Sequence, residues 1–324
     1  MKIVKIFTIG GKETGYGHIA RIIPIYDAFR KYKCSVEIYI AGDDSVLKIT
    51  ESRNVIFMDW EKSSRLDFLS KSNIIFIDTL VPPENFILNS SKFTKNIFFI
   101  SDGVATSKYL FKVINWRVGA EEIMGANGLY GEKYVPIRLE VLNASVHPKN
   151  LKSRELVVSM GAGDVLNLIP RTLEILDKNY KGSFILKVVI QSFHPEFKNL
   201  IDKYQDQINF LVDMCPNQLF RAIASCQFAI ASGGHSIYEF AYLGVPVVHV
   251  LVADNQEAAK CWDSSGFTFP VGRYNPLVYE KLIHEGVQFF MDEGNLSRAA
   301  SRGRQLIDGG GAKRIVMILN KEST

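Results

Sequence analysis

Apolar runs of strand length alternate with segments of helical periodicity along almost the whole chain. The runs are nearly continuous, which is typical of parallel strands that are covered on both faces. Strand candidates are residues 3–9, 35–40, 55–58, 74–77 and 96–100 in the first half, and 155–159, 184–190, 208–211, 228–231 and 246–250 in the second. Helix candidates between them include residues 18–31, 166–178, 217–224, 237–243 and 255–264. The pattern predicts an α/β fold with parallel sheets.

A polar segment without clear periodicity, residues 135–154, separates the two sets of strands and contains Pro136 and Pro148. We interpret it as an interdomain linker between domains 1–140 and 151–324. Each half opens with a strand, a glycine turn and a helix. The expected architecture is therefore two Rossmann-type domains whose parallel sheets face each other across a cleft, with ligands at the carboxyl ends of the strands.

The composition and charge argue against two classes, nucleic-acid-binding proteins and integral membrane proteins. A chain of 324 residues fits two domains, and 47% hydrophobic with 22% charged residues is typical of a soluble globular protein. The formal net charge of +4 is too small to indicate nucleic-acid binding. No window has the roughly 18 apolar residues of a membrane span, so no integral membrane segment is expected. The cysteines show no C-x-x-C spacing, which favours buried free thiols and a cytoplasmic location.

The most informative motif begins where the strand candidate 228–231 ends, at Ser232-Gly233-Gly234-His235-Ser236. Two glycines let the backbone turn tightly and approach a ligand. Ser236 and Glu239 have the spacing of a capping box, which predicts a helix start at Ser236. A glycine turn at a helix N-terminus binds anions, so this motif indicates a site for a nucleoside diphosphate.

A second glycine loop follows the first strand and contains Gly15, Gly17 and Ala20. The spacing is a variant of the dinucleotide-binding fingerprint, for which Asp43 or Asp44 would be the ribose-binding acid. A dinucleotide-dependent oxidoreductase, or a nucleotide-binding protein without catalysis, therefore remains an alternative. The loop between the strand and Gly15 is longer than the usual tight turn of that motif.

The same loop places His18 at the start of a helix, with Arg21 one turn further on. An imidazole accepts a proton from water or a hydroxyl near neutral pH, so His18 is the candidate general base. Arg21 has two interpretations, as a ligand of phosphate or as the partner of an acid. No metal motif of the Asp-x-Asp type stands near either loop, and we expect neither a metal nor another cofactor.

Several motifs, spread in order over nearly the whole chain, belong together. They are Gly15-Tyr16-Gly17-His18-Ile19-Ala20-Arg21, Gly131-Glu132-Lys133-Tyr134-Val135-Pro136-Ile137-Arg138, Ser159-Met160-Gly161-Ala162-Gly163-Asp164, Asp213-Met214, Ser232 to Glu239, Leu243-Gly244-Val245-Pro246, Ala253-Asp254-Asn255-Gln256 and Asp308-Gly309-Gly310-Gly311-Ala312-Lys313-Arg314. With these motifs the chain resembles the UDP-sugar hydrolases of the pseudaminic acid pathway (PseG) and the related spore-coat polysaccharide proteins (SpsG). More distantly, it resembles the GT-B glycosyltransferases of the MurG type.

The resemblance implies a GT-B-like fold and metal-independent hydrolysis of a UDP-activated acetamido deoxysugar, with inversion at the anomeric carbon. By the same resemblance His18 is the catalytic histidine, Asn255 holds the sugar or the water, and Glu239 binds the ribose. The other candidate substrate-binding residues are Gly15, Gly17, Arg21, Tyr134, Arg138, Gly161, Met214, Gly233, Gly234, His235, Ser236 and Gln256.

The chain departs from the family at three places. His235 stands where the family has a serine, Asp78-Thr79-Leu80 where it has Asp-His-Tyr, and Ser101-Asp102-Gly103 where it has paired aspartates. The last two lie in the half that should hold the sugar or acceptor. A glycosyltransferase that uses a UDP-sugar donor and a sugar or lipid acceptor is therefore the second hypothesis. The expected ligand is a UDP-sugar in both cases, and the oligomeric state is open.

Overall fold

The structure is a computed structural model that describes residues 1–12, 14–50, 53–63, 66–81, 83–103, 111–123, 128–144, 154–161 and 163–322. The chain divides into two compact units. The first comprises Met1–Arg138 together with Gly309–Thr324, and the second comprises Leu139–Asp308.

The strands are β1 (Ile3–Gly10), β2 (Ser35–Gly42), β3 (Val55–Phe57), β4 (Ile74–Asp78), β5 (Ile97–Ile100), β6 (Lys112–Asn115), β7 (Gly128–Tyr130), β8 (Glu155–Ser159), β9 (Ile185–Ile190), β10 (Ile208–Val212), β11 (Phe228–Ser232), β12 (Val247–Leu251) and β13 (Thr268–Arg273). The helices are α1 (Gly17–Lys31), α2 (Leu47–Thr50), α3 (Glu84–Ser90), α4 (Ala120–Ile123), α5 (Leu139–Ala144), α6 (Leu168–Tyr180), α7 (Phe197–Tyr204), α8 (Pro216–Ala224), α9 (Ser236–Leu243), α10 (Tyr279–Met291), α11 (Glu293–Leu306) and α12 (Gly311–Glu322). Short 3₁₀ helices cover Asp44–Val46, Asp67–Leu69 and Glu132–Tyr134, and a longer one covers Asp254–Trp262.

The described residues of the first unit form a seven-stranded parallel sheet with the order β3-β2-β1-β4-β5-β6-β7. The strand order reverses between β1 and β4, where Thr8 lies in register with Asp78. Such a reversal leaves a crevice at the carboxyl ends of the strands, which is where ligands bind in open α/β sheets.

One face of the first sheet is covered by aromatic packing. Phe7 stacks on Tyr39 with the ring centroids 4.8 Å apart, and Phe86 meets Phe7 edge-on at the same distance. Trp60 is fully buried, and its indole N–H donates to the Thr8 carbonyl at 3.0 Å. These contacts bury large apolar side chains and hold β1 in place next to the crevice.

Helix α1 packs closely against the end of β1. A Cβ on Gly10 would lie 2.5 Å from the Ile19 Cγ1, so glycine at this position permits the close approach. Ile19, Ile22 and Phe29 are completely buried on this helix. The first turn of α1, which carries His18, is thereby fixed relative to the strand ends.

The described residues of the second unit form a six-stranded parallel sheet with the order β10-β9-β8-β11-β12-β13. This order has the same reversal, here between β8 and β11. The strands of this unit bury residues such as Val158, Phe228 and Ile230 completely. The second candidate binding motif, at the end of β11, therefore also lies at a switch point of strand order.

The structure corrects the predicted domain boundaries. Residues 309–324 belong to the first unit and not to the second, because α12 packs against α1 and against Glu132–Tyr134. Ile315 and Val316 of α12 are completely buried.

The linker prediction for residues 135–154 is wrong for its first part. Val135 and Ile137 are buried, and α5 packs against α8 and α9. Residues 145–153 lie outside the described part of the chain.

Three strands, β6, β7 and β13, lacked a strong enough apolar run to be predicted. The thiol prediction also holds only in part, since Cys34 and Cys226 are buried whereas Cys215 is exposed. None of the described helices is both long and apolar enough to cross a membrane.

Candidate active site

Four polar side chains meet at the carboxyl edge of the first sheet. His18 lies on the first turn of α1 and Arg21 lies one turn further on. Asp78 is the last residue of β4, and Asp102 follows β5 by two residues. They come from chain segments that are adjacent only because β1, β4 and β5 are neighbours in the sheet. We call these four residues the polar cluster.

Asp78 is the centre of the polar cluster. Its Oδ1 lies 2.9 Å from the His18 Nδ1, and its Oδ2 accepts a hydrogen bond from the Arg21 Nε at 2.8 Å. The Arg21 Nη2 also donates to Asp78 Oδ1, and the Arg21 Nη1 donates to Asp102. Arg21 therefore forms a bidentate pair with Asp78, the strong geometry for a guanidinium and a carboxylate.

The Asp78 carboxylate is completely buried and yet ionised. Burial alone would raise its pKa, but the charge of Arg21 and the contact with His18 outweigh burial and lower the pKa to about 2. The pKa of Arg21 is raised, because the attraction of Asp78 and Asp102 outweighs its burial.

An ionised carboxylate only accepts hydrogen bonds, so the His18 Nδ1 must carry the proton in its contact with Asp78. The Arg21 Nη2, 3.0 Å from the same nitrogen, then has Asp78 as its acceptor. In the neutral imidazole, the other ring nitrogen, Nε2, is then the proton acceptor. Asp78 thus sets the tautomer and the orientation of His18.

Arg21 was predicted to bind substrate or to pair with an acid, and the structure shows the pairing. Three of its N–H groups are directed to Asp78 and Asp102, and its guanidinium lies 5.6 Å from the Trp116 ring centroid. It keeps Asp78 ionised, and its own side chain is only 7% exposed. Asp78 was missed as a functional residue, since nothing in the sequence pairs it with residues about 60 positions away.

The first glycine loop leaves open space beside His18. A Cβ on Gly15 or on Gly17 would have no heavy atom within 4 Å. Gly15 has a φ of +77°, which favours glycine by itself, whereas the φ of Gly17 is that of an ordinary helical residue. Neither conformation nor packing requires glycine at position 17, so the space is free for a ligand.

Asp43 holds the first glycine loop through its carboxylate. Its two oxygens accept the backbone N–H groups of Lys12 and Ser45, each at 2.9 Å. These hydrogen bonds lower the pKa of Asp43, the contact with Ser45 most strongly. Gly11 and Gly15 also pair with each other through two backbone hydrogen bonds, so the loop is a small hairpin and not the tight turn of a dinucleotide motif.

Among the described residues, the structure records no contact of Tyr134 with the polar cluster. Arg138 is the last residue of the first segment of the first unit. The segment around Tyr134 packs on the start of α12 so closely that a Cβ on Gly311 would lie 2.0 Å from the Val135 carbonyl oxygen. Arg314 also donates to the Lys133 carbonyl at 2.8 Å. These contacts give both sequence motifs a structural function.

In the second unit, two loops meet at the switch point between β8 and β11. Gly161 follows β8 with a φ of +83°, and a Cβ on it would lie 3.5 Å from the Ser232 Oγ at the end of β11. Gly233 continues β11 by donating to the Val250 carbonyl at 2.9 Å. Helix α9 begins three residues later, at Ser236, and presents its N-terminus at this edge.

The predicted capping box of Ser236 and Glu239 is not formed. The N-cap is His235, which already has helical backbone angles, and it makes no capping hydrogen bond through its side chain. The N–H groups of Ile237 and Tyr238 bond to carbonyls three residues back, at 3.2 and 3.1 Å. This tight first turn leaves no extended residue at which a serine cap operates.

The two glycines of this turn have different reasons to be glycine. A Cβ on Gly233 would lie 2.6 Å from a Leu251 methyl carbon and 3.2 Å from the Ala259 Cβ, so packing excludes a side chain. A Cβ on Gly234 would meet only the Ser236 Oγ, at 3.9 Å. The backbone at Gly234 is thus open to a ligand, as an anion site requires.

The other predicted residues lie around these loops. Glu239 is buried on α9, Met214 follows β10, and the His235 ring packs against Tyr238. Gln256 holds its own loop, because its Oε1 accepts the Val252 N–H at 2.9 Å. Asn255 lies in the 3₁₀ helix Asp254–Trp262, and its side chain lies outside the described part of the structure.

A brace that was not predicted supports the Gly161 loop. The Asp164 carboxylate accepts the N–H groups of Leu168 and Ile169, each at 2.8 Å, and so caps α6. His194 contacts the same carboxylate at 3.2 Å, and its other ring nitrogen accepts the Glu196 N–H. In the part of the chain that the structure describes, no three His, Cys, Asp or Glu side chains are grouped so that they could hold a metal ion.

Comparison with known proteins settles the fold. The chain aligns over 99% of its length with the solved structure of Acinetobacter baumannii MurG, covering all of that chain with a TM-score of 0.72 at 13% identity. The fold is GT-B. UDP-GlcNAc 2-epimerase from Neisseria meningitidis, solved with UDP-GlcNAc, aligns over 99% of this chain and all of its own, with a TM-score of 0.66 and 14% identity.

Two relatives are similar in sequence. The spore coat polysaccharide biosynthesis protein SpsG of Bacillus subtilis is 24% identical, with 98% of this chain and 97% of that protein covered. An uncharacterized protein of Methanocaldococcus jannaschii is 26% identical over 86% of this chain, and the alignment spans 60% of that longer protein. No protein-family model matches the chain.

Proposed function

We propose that this protein hydrolyses a UDP-activated acetamido deoxysugar to the free sugar and UDP, with inversion and without a metal ion, in nonulosonic acid or surface polysaccharide biosynthesis. The observation that carries the proposal is the contact between His18 and the buried, ionised Asp78. The similarity to SpsG, whose name places it in polysaccharide biosynthesis, supports the pathway class. The similarity in fold to an epimerase solved with UDP-GlcNAc supports the ligand class.

In the proposed reaction the His18 Nε2 takes a proton from a water molecule while the water oxygen attacks the anomeric carbon. The bond between that carbon and the phosphate oxygen breaks, and UDP leaves with the electron pair. Asp78 accepts the Nδ1–H throughout and stabilises the imidazolium that forms. Arg21 keeps Asp78 ionised, so its part in the reaction is to position Asp78 and, through it, His18.

The loops of the second unit are proposed to hold the nucleotide. Gly161, Gly233 and Gly234 would bring backbone N–H groups to the diphosphate at the start of α9. The remaining assignments follow the resemblance: Ser236 and His235 beside the phosphates, Glu239 on the ribose, Met214 and Gln256 along the nucleotide, and Asn255, Tyr134 and Arg138 on the sugar side.

A glycosyltransferase is the second candidate, and one observation favours it. Leu80 and Val81 follow Asp78 by two and three residues, and 65% and 71% of their surfaces are exposed. Apolar side chains beside a general base fit an acceptor better than they fit bulk water. In that case the same His18 would deprotonate an acceptor hydroxyl.

The test is UDP release from a panel of UDP-activated acetamido sugars in EDTA and ¹⁸O-labelled water, with and without candidate sugar and lipid acceptors. Free sugar and UDP without ¹⁸O, formed without an acceptor, are the result expected for the hydrolase, because water attacks the anomeric carbon and not the phosphate. UDP that forms only with an acceptor would replace the hydrolase by the transferase. Dependence on added metal would contradict both.

A further inference from the structure

Arg117 lies at the same carboxyl edge of the first sheet as the polar cluster, two residues beyond β6. Its neighbour Trp116 is the ring that faces the Arg21 guanidinium. The backbone of Arg117 is held in place, since its N–H donates to the Asn115 Oδ1 at 3.0 Å and its carbonyl accepts the Ala120 N–H at 3.1 Å. The backbone of Arg117 is therefore fixed one residue away from the ring that faces the cluster.

One nitrogen of the Arg117 guanidinium has no hydrogen-bond partner in the described part of the structure. Its Nε is buried and makes no hydrogen bond in the structure, and no ion pair of Arg117 is recorded among the described residues. The acids of the polar cluster are already engaged, since Asp78 and Asp102 bind Arg21. Glu121, four residues after Arg117, pairs with Lys133. Buried donors without an acceptor are rare in native proteins, because such a donor has lost its water without replacement.

We propose that Arg117 binds an anionic oxygen group, a carboxylate or a phosphate, on the sugar or acceptor that enters the site of the polar cluster. The identity of that ligand as part of a UDP-sugar reaction rests on the function proposed above. A guanidinium keeps its charge at all physiological pH values, and its Nε and one Nη form a fork that matches two oxygens of a carboxylate or phosphate. An entering anion would give this guanidinium the acceptor and the countercharge that the described residues do not supply.

The two sources of the anion are separated by two titrations with the full-length protein. The first compares the dissociation constants of UDP-glucose and UDP-glucuronic acid, which differ by a carboxylate at one carbon. The second follows the binding of inorganic phosphate by ³¹P NMR, with and without saturating UDP. We expect the wild type to prefer the carboxylated sugar or to bind phosphate saturably, and Arg117→Gln to weaken that binding about 10- to 100-fold.

The matched control is Arg30→Gln, an exposed arginine at the last turn of α1, which should leave both titrations unchanged. Arg117→Lys should recover part of the affinity, since it keeps the charge but not the fork. The melting temperature of unliganded Arg117→Gln should equal or exceed that of the wild type, because an unsatisfied donor is removed.

The inference is overturned if the wild type shows neither preference, if Arg117→Gln leaves the binding unchanged, or if Arg30→Gln weakens it equally. Failure of the proposed function has a different signature: UDP itself would not bind. The phosphate titration without UDP still decides the role of Arg117 in that case.

Discussion

Replacing Asp78 by Asn removes one charge from the buried centre of the polar cluster and keeps the shape of the side chain. Asp78 is 0% exposed and accepts hydrogen bonds from His18 and from two nitrogens of Arg21. An Asn side chain can turn only one oxygen toward these donors, and its NH₂ group would face another donor. The Arg21 charge would then be left with Asp102 as its carboxylate partner.

We expect Asp78→Asn to lower the free energy of unfolding of the first unit by about 3 kcal/mol at pH 7, the lower end for a broken buried pair. Part of this loss depends on pH. The pKa of Asp78 is lowered from 3.8 to about 2 on folding, which corresponds to about 2 kcal/mol of stability. That contribution is present above pH 4 and is lost as the pH falls from about 4 to about 2. The free energies of unfolding of wild type and Asp78→Asn should then differ by no more than about 1 kcal/mol.

The assay is urea unfolding at a series of pH values, followed by tryptophan fluorescence. Trp60 and Trp116 lie buried in the first unit and Trp262 in the second, so a Trp262→Phe background makes the signal specific for the first unit. Asp102→Asn is the control. We expect it to lower the free energy of unfolding by less than about 1 kcal/mol, because 43% of that side chain is exposed and water screens its charge. The reasoning would be refuted if the free energies of unfolding of wild type and Asp78→Asn differed by the same amount at pH 7 and at pH 3.

Three further outcomes are expected. Gly17→Ala should leave stability unchanged or raise it by up to about 0.5 kcal/mol, while UDP formation falls; unchanged turnover would mean that the open space is not used. Gly233→Ala should lower the free energy of unfolding by about 1–3 kcal/mol, because its methyl group overpacks against Leu251. Gly234→Ala should keep the wild-type stability and weaken UDP binding; calorimetry that finds the larger loss of stability in Gly234→Ala would contradict the loop assignment. Asp164→Ala should lower the urea stability of the second unit by about 2 kcal/mol, because the cap of α6 is lost; a smaller loss than for Asp43→Ala would argue against the brace.

The hydrophobic pattern predicted the two parallel sheets because buried parallel strands are apolar on both faces, as in Ile74–Asp78. Shorter strands with polar residues, such as Lys112–Asn115, have no such pattern. They form because they pair with the neighbouring strand. Tertiary packing also decides where α12 belongs. Its own sequence contains no sign that Ile315 and Val316 are buried in the first unit.

The candidate site was predictable where one loop carries it. The glycine loop located His18 at a helix start beside the crevice. Asp78 could not be recognised in this way, because its role comes from the adjacency of β1 and β4 and not from a local motif. The capping box failed for a related reason: the spacing of Ser236 and Glu239 is local, whereas the backbone angles of His235 result from how the turn is built.

The central claim is that His18 is the base of a UDP-sugar reaction, and one comparison tests it most directly. Turnover of a UDP-activated acetamido sugar and the dissociation constant of UDP are measured for wild type and for His18→Ala. The account predicts a loss of turnover of about 10²- to 10⁴-fold, as expected for a general base, with UDP affinity nearly unchanged. Unchanged turnover in His18→Ala, or a wild type that does not bind UDP, would contradict it.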